Sequence, residues 1–268
     1  MDILTKILNQ KKKEVEENKS LYPVKLLEKS IFFETTPLSL KKYLLRPDKS
    51  GIIAEIKRRS PSKGDINPYV SVEKTSIGYM QSGASALSVL TDKKFFGGSN
   101  RDLTTARNFN FCPILRKDFI IDEYQIVEAK SIGADAILLI AAALDKKTIA
   151  QLTHFAHELG LEALLEIHGP EELEAIHDTI DVVGVNNRNL KTFEVNVETS
   201  VNLSRQIPEG FVKISESGIS QPESIIRLKE HGFDGFLIGE YFMMASQPEK
   251  KCAAFIEKIE ALEKVKGA

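Results

Sequence analysis

Two cysteines, Cys112 and Cys252, are all that the 268 residues contain, too few and too far apart for a disulfide framework or a four-ligand zinc site. A reducing compartment follows, and we expect a cytoplasmic protein. No stretch approaches the roughly 18 uninterrupted apolar residues of a membrane span, and the opening Met1-Asp2-Ile3-Leu4 lacks the basic start of a signal peptide. An excess of one charge is missing too: 36 Lys+Arg face 38 Asp+Glu, a formal net charge of −2. That balance argues against a nucleic-acid or anionic-membrane partner held by bulk charge. Neither a Gly-rich dinucleotide fingerprint nor a P-loop occurs, so no cofactor is implied. The five histidines do not converge. His154 and His157 lie three apart on an expected helix without a third ligand, so no metal is expected, while His168 lies just beyond Glu166, where it can support that side chain.

What is present is a globular composition, 42% hydrophobic and 28% charged, sufficient for a large core. From Gly51 onward, short apolar runs alternate with longer amphipathic stretches, the pattern of repeated β-α units around a parallel sheet. Eight runs read as strands: Ile52–Ile56, Ala86–Leu90, Pro113–Leu115, Ala136–Ile140, Glu162–Glu166, Val182–Val185, Phe211–Ile214 and Gly235–Ile238. Their starts are 20 to 34 residues apart, the length of strand, loop, helix and loop. Glu123–Ile132 and Lys146–Leu159 carry helical apolar spacing, and Gly133-Ala134-Asp135 and Gly232-Phe233-Asp234 read as helix stops before strands. Eight such units predict an α/β fold, a (β/α)8 TIM barrel; an open doubly wound sheet would give the same alternation. Residues 1–48 fall outside the repeat and read as an N-terminal helical extension packing on a barrel of residues 49–268, one domain overall. An amphipathic helix around Leu4, Ile7 and Leu8 and a second over Pro37–Leu45 either cover the barrel or cap its mouth.

In such a barrel the site is built at the C-terminal ends of the strands, and alternation of side chains sorts the charged residues there. In the first strand Ile53, Glu55 and Lys57 share one face, opposite the fully apolar Ile52, Ala54 and Ile56. Leu115 and Lys117 share a face in the third, Leu164 and Glu166 in the fifth, and Gly184, Asn186 and Arg188 in the sixth. Two lysines, two glutamates, an asparagine and an arginine therefore converge at the mouth. A ring of ion pairs serving stability alone is the competing account, and a weak one, because partly buried ion pairs gain little over apolar packing. After strands seven and eight, Ser215-Glu216-Ser217-Gly218 and Ile238-Gly239-Glu240 match the usual phosphate-binding turns of such barrels, with Glu240 contributing its N–H.

At these residues the sequence closely resembles the indole-3-glycerol-phosphate synthase family. The carriers are Glu55-Ile56-Lys57-Arg58-Arg59-Ser60-Pro61-Ser62, Leu115-Arg116-Lys117-Asp118-Phe119, Gly184-Val185-Asn186-Asn187-Arg188 and Glu216-Ser217-Gly218-Ile219, with Leu90-Thr91-Asp92 and Phe96-Gly97-Gly98-Ser99 between them. Asn196 and Phe233 depart from the family's commoner aspartate and alanine, outside the inferred chemistry. The resemblance implies a carboxy-lyase of tryptophan biosynthesis that closes the ring of 1-(2-carboxyphenylamino)-1-deoxyribulose 5-phosphate with loss of CO2 and water. It makes Lys117 the general acid and Glu166 the aid to proton removal. Glu55 and Asn186 hydrogen-bond substrate hydroxyls and the acid–base pair, and Lys57 and Arg188 hold the anthranilate carboxylate. Ser60, Ser217, Gly218, Gly239 and Glu240 surround the phosphate, and Phe96 and Phe119 sandwich the aromatic ring. A lysine among other cations is expected to have a lowered pKa suited to donating its proton. The implied partner is a small phosphorylated substrate, with no fused pathway enzyme. An aldolase-type barrel with a Schiff base on Lys117 or Lys57, and a non-catalytic sugar-phosphate binder, remain alternatives from the residues alone.

Overall fold

Apolar runs form eight strands: β1 (Ile52–Ile56), β2 (Ala86–Leu90), β3 (Ile114–Lys117), β4 (Ala136–Ile140), β5 (Glu162–Ile167), β6 (Val182–Asn186), β7 (Val212–Glu216) and β8 (Gly235–Ile238). In this computed structural model, which describes residues 2–266, they close into a barrel of order β1-β8-β7-β6-β5-β4-β3-β2, each parallel to both neighbours. The pairing of Ile52–Ala54 with Phe236–Ile238 seals the first strand to the last and excludes the open sheet. Four strands have the expected ends, whereas β3, β5, β6 and β7 run one or two residues further toward the mouth. In β3, β6 and β7 those extra residues are polar, so an apolar run underestimates the strand. Met1 and residues 267–268, the outer ends of the expected extension and barrel, lie outside the described residues.

The helices are α1 (Ile3–Leu21), α2 (Val24–Leu27), α3 (Leu40–Leu44), α4 (Val72–Gln81), α5 (Lys93–Phe96), α6 (Asn100–Phe109), α7 (Glu123–Ser131), α8 (Lys146–Glu158), α9 (Glu198–Ser204), α10 (Pro222–Glu230), α11 (Glu240–Met243) and α12 (Pro248–Lys266). Side-chain caps start several of them: Ser71 accepts from Lys74 N–H, Ser99 from Asp102 N–H and Asp145 from Thr148 N–H. Gly133 and Gly232 stop α7 and α10 with φ of 90° and 77°, as the Gly-x-Asp pattern predicts. Between β5 and β6, the shortest interval, only a 3₁₀ segment (Pro170–Ala175) is present.

Alternation along the strands divides the core in two. Ile52, Ala54 and Ile56 join the layer between sheet and helices, while Ile53, Ala86, Leu115, Leu138, Leu164, Ile214 and Leu237 fill the barrel interior. The extension meets the barrel at both ends. At the mouth, Ile3, Leu4 and Ile7 of α1 line the main cleft. At the floor, Leu40 and Leu44 of α3 are buried in the interior cluster. The chain between is fastened to the barrel by Lys19 to Asp122 (2.8 Å), Tyr124 Oη donating to the Asn18 carbonyl (2.9 Å), Leu38 N–H to Asp135 (2.7 Å) and Lys41 N–H to Glu162 (2.8 Å).

Candidate active site

A solvent-open cleft of about 950 Å³ occupies the C-terminal end of the barrel. Its walls include Glu55, Lys57, Ser60, Phe96, Lys117, Phe119, Glu166, Asn186, Arg188, Ser217 and Glu240, so eleven of the thirteen expected site residues gather there. The other two, Gly218 and Gly239, line an adjoining lobe that shares Glu55, Lys57, Arg188, Ser217 and Glu240 with the cleft.

Lys117 is the centre. Its Nζ donates to Glu166 Oε2 at 2.7 Å and to Glu216 Oε2 at 2.5 Å. Burial alone would lower its pKa, but Glu166, Glu216 and Glu55 outweigh it and hold the ammonium above the ordinary lysine range. This reverses the expectation of a lowered value. The nearby cations are already matched, Lys57 to Glu55 at 2.9 Å and Arg188 to Glu240 at 3.3 Å, and the groups touching Lys117 are carboxylates.

Glu216 is the site residue that sequence reasoning assigned only to a phosphate turn. Val212, Ile214 and Glu216 share the inward face of β7, and the parity rule that finds Glu55 and Glu166 finds Glu216 once the strand is drawn to its true end. Burial, opposed by Lys117 and aided by the charges of Glu166 and Glu55, pushes its carboxyl up to about 7. Glu166 lies on the other side: burial raises it, but Lys117 and His168 hold it well below the usual carboxylate range. His168 Nε2 approaches Glu166 Oε1 to 3.2 Å off the hydrogen-bond direction, and Nδ1 lies 3.3 Å from Glu172. Burial lowers the imidazole and the two glutamates more than offset it, raising its pKa to about 10.

Glu55 spans Lys57 and the Ser88 hydroxyl, which donates to its Oε2 at 3.3 Å. A Cβ on Gly239 would fall 2.3 Å from Glu55 Oε1, so only glycine leaves room for that carboxylate. The turn after β7 is left-handed at two successive residues, Ser217 (φ 67°) and Gly218 (φ 76°), and both line the lobe. Asn186 Oδ1 accepts from the Arg188 N–H at 3.0 Å, tying the end of β6 to the arginine. Ser60 accepts from Lys63 N–H at 3.3 Å within the hairpin Arg59–Ser60 and Gly64–Asp65. The chain just before that hairpin is fastened to the first turn of α6 through the Arg58–Asp102 ion pair. Glu240 turns its carboxylate to Arg188 and Lys63, away from its own N–H. Phe96 and Phe119 stand against each other, centroids 6.1 Å apart and planes 35° off parallel. A ring between them would need centroids about 7 Å apart, twice the carbon contact distance of roughly 3.5 Å, so they form one tilted wall here.

A sequence model described as indole-3-glycerol phosphate synthase matches residues 4–255. A protein of that name from Bacteroides thetaiotaomicron is 51% identical over 259 residues, covering 97% of this chain and 99% of its own length. Relatives of the same name from Bacillus cereus and Bacillus mycoides are 49% identical over 247 residues, covering 91% of this chain and 94% of theirs. Likeness on that scale, running through every segment that builds the mouth of the barrel, means that the chain belongs to the indole-3-glycerol phosphate synthase family.

Proposed function

We propose that the barrel converts 1-(2-carboxyphenylamino)-1-deoxyribulose 5-phosphate into indole-3-glycerol phosphate, CO2 and water, with Lys117 as the acid at the centre of the chemistry. The observation that carries this reading is the Lys117 ammonium gripped by Glu166 and Glu216 at 2.7 and 2.5 Å inside a cleft that Lys57 and Arg188 also line. The left-handed turn at Ser217 and Gly218, beside Gly239 in the same lobe, supports a phosphate bound at Ser60, Ser217, Gly218, Gly239 and the Glu240 N–H. Lys57 and Arg188 hold the anthranilate carboxylate, trading their internal glutamate partners for the ligand's charge. Phe96 and Phe119 offer the aromatic ring a single tilted wall, and Glu55 and Asn186 hydrogen-bond the sugar hydroxyls.

Ring closure forms a carbon–carbon bond from the carboxylate-bearing ring carbon to the ketone carbon, while the ketone oxygen takes a proton from Lys117. Loss of CO2 returns the electron pair of the broken bond to the ring. Departure of the new hydroxyl as water, with a proton lost from the adjacent carbon, completes the indole.

A tightly held ammonium suits this sequence. It arrives loaded at any working pH, and an alkoxide developing at the ketone is basic enough to take its proton. Once Lys117 is neutral, the charge that depresses Glu166 is gone, so the carboxylate gains basicity at the stage where a proton must be removed. A Schiff base would instead need a neutral amine at the start, which three surrounding carboxylates oppose. Incubation with the carboxyphenylamino ribulose phosphate should release indole absorbance and fluorescence, against a low background because the chain has no Trp. Absence of that signal, or an imine trapped by borohydride, would overturn the proposal.

A further inference from the structure

The face of α1 buried in the protein consists of Ile7, Lys11 and Val15, one residue per turn. A lysine in that row is unusual, since charged side chains are rarely buried without partners. Lys11 is 4% exposed, and its Nζ lies 2.9 Å from Asp92, 2.9 Å from Asp118 and 2.8 Å from Glu14. The two aspartates follow adjacent barrel strands, β2 and β3, just beyond the point where Leu90 pairs with Lys117.

Each aspartate has a second task. Asp92 caps α5, its Oδ1 accepting from the N–H groups of Phe95 (2.7 Å) and Phe96 (3.3 Å). Asp118 accepts from the Phe119 N–H at 2.8 Å and from the Thr91 hydroxyl at 2.5 Å. The main chain on either side of Asp118 therefore carries Lys117 and Phe119, and the helix capped by Asp92 carries Phe96. Both carboxylates are almost wholly buried, and beside Lys11 the nearest cation is Arg116, 3.6 Å from Asp118 and chiefly engaged with Glu128.

From this arrangement we infer that Lys11 is a positioning residue for the reaction: one ammonium, supplied by the extension, draws together the two carboxylates that orient Lys117, Phe119 and Phe96. It touches none of the cleft surface itself. Without it, two buried like charges face each other across β2 and β3, and relief requires one strand end to move or to take up a proton. Either response shifts the acid and the aromatic wall together.

The inference rests on the activity proposed above, so the wild-type protein must first form indole-3-glycerol phosphate from the carboxyphenylamino substrate; failure there refutes the activity and not the role of Lys11. With activity in hand, Lys11→Met should lower kcat by about 10- to 100-fold, the cost of a misplacement near 1 Å, at unchanged far-UV dichroism. Lys19→Met, which breaks the other α1 ion pair at 2.8 Å to Asp122, is the control for loosened docking and should keep kcat near wild type. Adding Asp92→Asn to Lys11→Met removes one of the opposed charges and keeps a capping oxygen, so it should recover part of the lost kcat. Should Lys11→Met be insoluble, Lys11→Gln provides the same comparison. Near-wild-type kcat in the Lys11 variant, a loss matched by Lys19→Met, or no recovery in the double variant would overturn the assignment.

Discussion

Replacing His168 with glutamine removes the cation that faces Glu166 Oε1 while leaving the Glu172 carboxylate its 2.7 Å bond from the residue 168 N–H. The imidazole goes from an ordinary pKa of 6.5 to about 10 in the folded protein. At about 1.4 kcal/mol per pH unit the full interval corresponds to about 5 kcal/mol, and relaxation around a lost charge leaves an expected effect of about half that. The sign follows from linkage. A raised basic pKa means that the folded state binds more protons than the unfolded one between pH 6.5 and 10, so the stabilisation is complete below 6.5 and disappears as pH rises through 10. Other groups titrate near this window, Glu216 among them at about 7, so the informative quantity is the difference between wild type and variant. Urea melts at pH 6, 8 and 10 should show the wild type ahead by about 2 kcal/mol at pH 6 and level with His168→Gln by pH 10. In activity, the acid limb of the kcat profile should move to higher pH, because Glu166 loses a positive neighbour and protonates more readily. The charges facing it from other strands, Lys117, Glu216 and Glu55, are unchanged by the substitution. A wild-type advantage independent of pH would refute the charged His168 and reduce its contribution to packing.

Three further outcomes are expected. Lys117→Ala should lower kcat by about 10²- to 10⁴-fold, and Lys117→Arg should fail as well, because guanidinium does not release a proton near neutrality; normal single-turnover rates in the arginine variant would mean that charge alone suffices. Gly239→Ala should displace Glu55 from its 2.9 Å contact with Lys57 and raise KM for the substrate, whereas an unaltered KM would show that the 2.3 Å approach is relieved elsewhere. Leu40→Ala should cost about 2–5 kcal/mol in denaturant melts and leave KM unchanged, since that side chain fills the barrel floor; a change in KM without loss of stability would contradict its placement in the interior cluster.

Parallel strands covered on both faces are visible in sequence as continuous apolar runs, and all eight were legible for that reason. The inward residues followed from parity alone, as with Glu55 on β1 and Glu166 on β5. Glu216 escaped because the apolar run of β7 stops at Ile214 although the strand does not. The charge state of Lys117 was misread for a different reason. Spacing shows which charged groups reach the mouth, but which of them pair depends on distances across the barrel, between strands as remote in sequence as β3 and β7. The tilted contact of Phe96 with Phe119 is likewise a property of two segments that meet only in the folded chain.

The extension that places Ile3 at the mouth and Leu40 at the floor is also made before every strand of the barrel it packs on. Its floor site is not complete until β8 has paired with β1, because the pocket for Leu44 is closed by Gly235 at the start of the last strand. The apolar face of α3 must therefore wait, solvent-exposed or chaperoned, through synthesis of the whole barrel. Leu40 and Leu44 precede the barrel in synthesis and follow it into the core, and a nascent chain halted before β8 should present them as exposed apolar surface.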